Sequence, residues 1–286
     1  MSQQPVILRT RKELNEFTQN IRDEEKTISY VPTMGALHEG HMSLVKAGFE
    51  KSDVVIVSIF VNPTQFGPNE DLDAYPRVLD KDTEICAKNG VAAIYTPSVE
   101  EMYPEGFSTK ISVAGVSEGL CGAARPGHFD GVATVVTKLI MQVKPDCTMF
   151  GLKDYQQFKV IDRMNKDLDL GFNLVGVQTA REQETGLALS SRNAYLDADQ
   201  YKVAIQLNKI IKQVADKVRD TDQDLKDIIA EGKKALTEAG FEKIDYLEIC
   251  NANDLSPVNQ KSNNIDYQVL AAAKIGRARL IDNFKV

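Results

Sequence analysis

Two of the chain's three histidines stand close together in Pro32-Thr33-Met34-Gly35-Ala36-Leu37-His38-Glu39-Gly40-His41, directly after the strand-like run Thr27-Ile28-Ser29-Tyr30-Val31. A strand that ends in a small-residue turn and enters a helix directs unpaired backbone N–H groups and the positive end of the helix dipole at one point, where a phosphate fits. His38 and His41 share a face on the opening turn of such a helix and can address the same oxygens. An HxxH pair can instead hold a metal ion, but no neighbouring Cys, His or well-spaced carboxylate supplies a third ligand. Two unrelated surface imidazoles are the remaining alternative. Phosphate binding is the favoured reading.

Three further segments carry chemistry. Asn62-Pro63-Thr64-Gln65-Phe66 follows an apolar run and sets two amides at a strand end, where they both donate and accept; that suits a substrate with hydroxyl and carboxylate groups, although an ordinary Asn-Pro turn explains it equally well. Gly151-Leu152-Lys153-Asp154-Tyr155-Gln156-Gln157 opens another helix, with Lys153 suited to phosphate oxygens, Asp154 a candidate cap, and Gln157 able to face the same cleft. Ser190-Ser191-Arg192-Asn193 gathers hydroxyls and a guanidinium able to grip a triphosphate, or forms a plain polar linker. Arg125-Pro126-Gly127-His128-Phe129-Asp130-Gly131 either contributes to the cleft or serves as a helix entry. The polar stretch Gly67–Pro76 has the length of a lid. Neither GxxxxGK[ST] nor a strand-following GxGxxG occurs, which removes support for Walker-type hydrolysis and dinucleotide redox chemistry.

The elements that must position these groups read as an α/β domain over residues 1–180. Candidate strands are Ile28–Val31, Val54–Val61, Val91–Tyr95, Thr148–Phe150 and Asn173–Val177. Helical periodicity separates them at Val132, Val135, Val136, Leu139, Ile140 and Val143, and again at Phe158, Ile161, Met164 and Leu168. A run such as Val54–Val61 is apolar on both faces, as in a parallel sheet covered by helices on both sides. The expected architecture is therefore a Rossmann-like, doubly wound parallel sheet. Ligands of such sheets bind at the carboxyl ends of the strands, where the segments above begin. Residues 181–286 read as a smaller C-terminal α+β domain. A long amphipathic helix carries Val203, Leu207, Ile210, Ile211, Val214 and Val218, and a second ends near Ala239 with Gly240 as its stop. Strands follow at Ile244–Cys250, Gln268–Ala273 and Ala278–Asp282, with Asn251–Asn264 a polar loop.

A chain of 286 residues, 43% of them hydrophobic, can build a full core. Cys86, Cys121, Cys147 and Cys250 are scattered without CxxC spacing, which argues against zinc and a disulfide framework. No stretch approaches a membrane span and the start shows no apolar signal region, so a cytoplasmic protein without membrane association is expected. A net charge of −7 without a dense basic stripe disfavours nucleic-acid binding.

Taken in order, PTMGALHEGH, FVNPTQF, AYPR, RPGHFDGVATVVTKL, FGLKDYQQ and LALSSRNAYL resemble the pantoate–β-alanine ligase family of HIGH-type nucleotidyltransferases, over Pro32 to Leu196. The resemblance implies a two-step reaction. ATP adenylates the carboxylate of (R)-pantoate with release of pyrophosphate, and the amine of β-alanine then displaces AMP to give pantothenate. It implies an ATP site of Met34, Gly35, Ala36, Leu37, His38, Glu39, Gly40, His41, Gly151, Leu152, Lys153, Asp154, Ala180, Leu189, Ser190, Ser191 and Arg192. His38, His41 and Lys153 are the implied catalytic groups, and Ser190-Ser191-Arg192 stands for the KMSKS-like loop. Asn62, Gln65 and Gln157 are implied for pantoate, with Gln65 also serving β-alanine. Mg²⁺ would accompany ATP, held mainly by phosphate oxygens, and a homodimer is implied. Lys81, Cys121, Asp130 and the segment Glu182–Thr185 depart from the family pattern. A related nucleotidyltransferase that keeps the nucleotide in its product, and a non-catalytic ATP-binding module, are the competing readings; release of free AMP with an amide separates them.

Overall fold

The computed structural model describes residues 4–68, 70–262 and 264–286. In chain order its elements are β1 (Val6–Leu8), α1 (Arg11–Asp23), β2 (Ile28–Thr33), α2 (Glu39–Phe49), β3 (Val54–Ile59), α3 (Leu79–Lys88), β4 (Ala93–Tyr95), α4 (Val99–Met102), α5 (Cys121–Ala124), α6 (His128–Val143), β5 (Cys147–Gly151), α7 (Tyr155–Asp167), β6 (Asn173–Val177), α8 (Ala198–Asp220), α9 (Leu225–Glu238), β7 (Lys243–Asn251), β8 (Tyr267–Ile275) and β9 (Ala278–Lys285). Short 3₁₀ turns cover Pro63–Gln65, Leu152–Asp154 and Ser191–Tyr195. The chain divides into two compact units. The first holds residues up to Val113, Arg125–Leu152 and Val160–Gln178; the second holds Ala114–Ala124, Lys153–Lys159 and Thr179–Val286.

The first unit is a six-stranded sheet in the order β1-β4-β3-β2-β5-β6, and every pairing is parallel. From the central β2 the chain steps outward through β3 and β4, then returns to place β5 on the other side of β2. The carboxyl ends of β2 and β5 therefore flank the switch point of a doubly wound sheet. Val31, Val55, Val57, Ile94 and Met149 pack with Leu37, Met42, Val45 and Cys86 into one buried cluster. This explains the unbroken apolar runs of the central strands. The half-exposed burial of β6 fits its edge position. The sequence reading names five strands for this sheet and omits β1, whose three residues pair with Ala93–Tyr95. A strand that short presents no period to detect. The strand expected at Val54–Val61 ends at Ile59.

The second unit packs α8 and α9 on the antiparallel sheet β7-β8-β9. Leu207, Ile211, Val214 and Val218 of α8 meet Val269, Ala271 and Ala273 of β8, so the apolar stripe legible in the sequence is the one buried. Asp197 caps α8 with a reciprocal capping box through Gln200. The end of α9 is a Schellman turn: Gly240 at φ +104° donates to Thr237 O and Phe241 donates to Leu236 O. Asn263, in the segment read as a polar loop, lies outside the described residues, as does Asn69 in the lid-like stretch.

Candidate active site

The histidine turn occupies the end of β2 and the start of α2. His38 is the N-cap of α2, and its Nδ1 accepts from Gly40 N at 3.1 Å, while His41 Nδ1 accepts from His38 N at 3.3 Å. The two rings stand 4.1 Å apart, centroid to centroid. A neutral imidazole that accepts at Nδ1 carries its proton on Nε2, so both rings bear their donor on the same type of nitrogen. The local backbone thus sets the tautomer as well as the orientation.

Several further amides of this turn are spent within the protein. Gly35 N donates to Thr33 Oγ1 at 3.1 Å, Ala36 N and Leu37 N donate to the Asp82 carboxylate at 2.9 and 2.8 Å, and His41 N and Met42 N donate to His38 O. For Gly35–His38 and Gly40–Met42 the expectation of unpaired backbone donors aimed at a phosphate is therefore corrected. Among Gly35–Leu37 every N–H already has an acceptor.

The amide pair sits at the end of β3. Asn62 is 1% exposed. Its Nδ2 donates to Gln65 Oε1 at 3.0 Å and to Gly131 O at 3.2 Å, and its Oδ1 accepts from Thr64 N, from Thr64 Oγ1 and from Tyr103 Oη at 2.7 Å. Asn62 is thereby saturated and orients Gln65 from behind, while Gln65 Nε2 approaches Met34 Sδ at 3.2 Å. One glycine makes this possible. A Cβ on Gly131 of α6 would fall 2.4 Å from Thr64 O and 2.7 Å from Gln65 Cα. The apolar stripe that betrays α6 in the sequence gives no hint of this close approach, and nothing in the sequence marks Tyr103.

Arg125 and His128 close the same corner. Arg125 pairs in bidentate fashion with Glu70, Nε to Oε1 at 2.6 Å and Nη2 to Oε2 at 2.5 Å, and Nη2 also donates to Gln65 O at 3.3 Å. His128 Nδ1 lies 2.9 Å from that same carbonyl. Burial of Glu70 pushes its carboxyl upward, but the Arg125 donors and charge outweigh this and hold it below the usual glutamate value. The segment left open in the sequence as cleft or helix entry begins α6, and it also ties Glu70 and the Gln65 carbonyl together. Tyr75 anchors the far end of the lid-like stretch against Phe66, with ring centroids 6.0 Å apart.

The second unit brings together another part of the expected set. Lys153 and Ser190 line one small cavity with Leu187, Ala188, Asn193 and Asp282. Lys153 O accepts from Asn283 Nδ2 at 2.9 Å, and its ammonium stands 4.0 Å from Asp154. Ahead of Ser190, the stretch Glu182–Thr185 forms a tight turn in which Gly186, at φ +76°, donates to Glu182 O. Arg181 bridges to Ala188 across that turn and forms a bidentate pair with the buried Asp282, while Leu189 N donates to Ala180 O. Ser190 Oγ accepts from Arg192 N, and Asn193 Nδ2 donates to Ala188 O. The neighbouring glutamines of α7 have opposite roles. Gln156 is buried and bonds Val116 O, Gly119 O and Cys121 N, whereas Gln157 is half-buried and makes no side-chain hydrogen bond among the described residues.

Gly151 and Leu152, at the end of β5, belong to the first unit with Met34–His41, Asn62 and Gln65; Lys153, Asp154, Gln157, Ala180 and Leu189–Arg192 belong to the second. Among the described residues no group of three or more His, Cys, Asp or Glu converges as a metal site, and no helix is long and apolar enough to cross a membrane.

A doubly wound parallel sheet with paired imidazoles and a glutamine at its strand ends is the arrangement of an α/β enzyme whose ligand binds at the strand carboxyl ends. A family model described as pantoate-beta-alanine ligase matches residues 6–285. The chain belongs to the pantoate–β-alanine ligase family. It is 49% identical over 265 residues to pantothenate synthetase of Paramagnetospirillum magneticum, covering 93% of this chain and 92% of that one. Among solved structures it superposes on pantothenate synthetase of Thermus thermophilus with a TM-score of 0.89 at 39% identity, over 98% of this chain and 99% of the other. It also superposes on the Francisella tularensis ligase complexed with beta-gamma ATP and beta-alanine, with a TM-score of 0.80 at 36% identity, over 98% and 97% of the two chains.

Proposed function

We infer that the chain condenses (R)-pantoate with β-alanine at the expense of ATP, giving pantothenate, AMP and pyrophosphate through a pantoyl adenylate. The observation that carries this reading is the imidazole pair, whose Nδ1 atoms are occupied by backbone donors, standing on the strand-end face that also presents Gln65. The chemistry asks little more of the protein. The pantoate carboxylate is already a nucleophile toward the α-phosphate, and the acyl adenylate is already an electrophile toward the β-alanine amine. Catalysis then consists of positioning and of stabilising charge on the α-phosphate and the departing pyrophosphate.

In this reading His38, His41, Lys153, Ser190, Ser191 and Arg192 serve the triphosphate. Met34–Leu37, Glu39, Gly40, Gly151, Leu152, Asp154, Ala180 and Leu189 frame the nucleotide. Gln65 and Gln157 bind pantoate, Asn62 acts by holding Gln65, and Gln65 also meets β-alanine. Mg²⁺ enters with ATP on its phosphate oxygens. The protein acts in the cytoplasm as a homodimer, on small molecules alone. The test is ATP–pyrophosphate exchange with pantoate present and β-alanine absent. Exchange that requires pantoate, followed by release of AMP when β-alanine is added, is the expected result; exchange indifferent to pantoate defeats the substrate assignment.

A further inference from the structure

Asp82, on the first turns of α3, is 1% exposed, and it makes no ion pair among the described residues. Its two oxygens each accept one backbone N–H from the histidine turn, Oδ2 from Ala36 at 2.9 Å and Oδ1 from Leu37 at 2.8 Å. Burial pushes the Asp82 carboxyl above its usual range, and the amides of Leu37 and Ala36, with the Lys81 charge, pull the other way by favouring the charged form. Those donors belong to a turn with its own strain. Gly35 and Ala36 are both left-handed, at φ +83° and +52°, and the second of these is unfavourable for a residue with a side chain. The turn is also clasped from two sides, since a Cβ on Gly35 would stand 3.0 Å from Asp82 Oδ2 and 3.0 Å from Ile59 Cγ2. Immediately after it comes His38, the N-cap of α2.

We propose that Asp82 is a positioning residue for the nucleotide: its carboxylate fills the anion site made by the amides of Ala36 and Leu37, and so fixes the approach of His38 and His41 without touching ATP or its metal. The fold thus supplies its own anion at the place where the sequence pattern suggests phosphate, and the exogenous phosphate is left to the imidazoles. This rests on the reading that the histidine pair serves ATP.

The experiment compares Asp82→Asn, His41→Ala, the double variant and Gly35→Ala, each by steady-state kinetics in ATP and in pantoate and by thermal melting. Asn keeps the size of Asp but turns one acceptor into a donor facing an N–H. The expected result is a rise of about tenfold or more in KM for ATP, or an equal fall in kcat, of the size that small misplacement of a catalytic group causes. KM for pantoate should stay within about twofold, well below that effect. In the His41→Ala background the same substitution should cost markedly less, because its route through the imidazole is already lost. Gly35→Ala, which crowds Asp82 from the opposite side, should reproduce the ATP-selective defect independently even if Asp82→Asn fails to fold. Equal losses in both backgrounds, a parallel rise in both KM values, or recovery with excess Mg²⁺ overturns the proposal, the last by making Asp82 a metal ligand. Wild-type kinetics of Asp82→Asn beside an impaired His41→Ala removes this proposal alone, whereas wild-type ATP kinetics of His41→Ala removes the underlying histidine assignment and this proposal with it.

Discussion

The two segments assigned to the triphosphate are built in contrasting ways. The histidine turn is held from a distance: Asp82 lies more than forty residues along the chain from the amides it accepts, and the reciprocal cap of His38 and His41 locks the first turn of α2. In the Ser190–Arg192 segment close neighbours contribute, Ser190 capping Arg192 N and Asn193 reaching Ala188 O. Its long-range anchor lies one step back, where Arg181 grips the buried Asp282. The difference teaches that one segment is fixed through a buried carboxylate from a distant helix, and the other through a buried ion pair at its stem. Groups on the histidine turn should show sharp, position-sensitive defects, and groups on the Ser190–Arg192 segment should tolerate modest displacement.

Substitutions can break that comparison, beginning with the largest expected effect. His41→Ala and Lys153→Ala should each lower pantoate-dependent pyrophosphate exchange by about a hundredfold or more, the usual loss when one preorganised donor to developing charge is removed. Retained melting temperatures would separate this from unfolding, and near-normal exchange in either variant would remove its phosphate role. Gly131→Ala comes next. The new methyl meets the backbone carbonyl of Thr64 at 2.4 Å, where no flexible side chain can yield, so the strain should cost about 1–3 kcal/mol. Because the displaced turn carries Gln65, KM for pantoate should rise more than KM for ATP; equal rises would mean that the histidine turn and the Gln65 turn are not divided between substrates.

The smallest effect concerns Glu70 and Arg125. Since the folded carboxyl is held below its usual value, the pair stabilises the protein above the unfolded glutamate pKa of about 4.3 and loses that contribution as pH falls through the lower folded value. The pair is partly exposed, so Glu70→Gln should cost less than about 1 kcal/mol at pH 7. The gap between variant and wild type should close on acidification, as read by urea unfolding at stepped pH. A gap that widens toward pH 3 would contradict the sign.

Much of this was open to inspection in the residues alone. The apolar runs of β2 and β3, the stripe along α8 and the Gly240 stop each report a local rule, burial on both faces, one buried face, or a left-handed cap, that operates within a few residues. The chemistry-bearing types, the histidine pair, Lys153, Gln65 and Gln157, stand out because each follows an apolar run, where imidazole, ammonium and amide groups are expected to meet a ligand of such a sheet. What a single sequence conceals is any partnership across long separations. Gln156 and Gln157 are adjacent and chemically identical, yet helix geometry turns one inward to be consumed by Val116, Gly119 and Cys121 and leaves the other available.

By itself, then, the sequence determined the fold class and the strand-end positions of the histidine turn and the Asn62–Gln65 amides, since each follows from periodicity, caps and turn chemistry over short spans. Only the tertiary structure decided that Asp82 takes the amides of the histidine turn, that Asn62 is saturated by Tyr103, Thr64 and Gly131, and that segments 114–124 and 153–159 fold with the C-terminal unit. The physical reason is that a buried polar group must find its partners wherever packing places them, and packing brings together residues whose separation along the chain carries no signal.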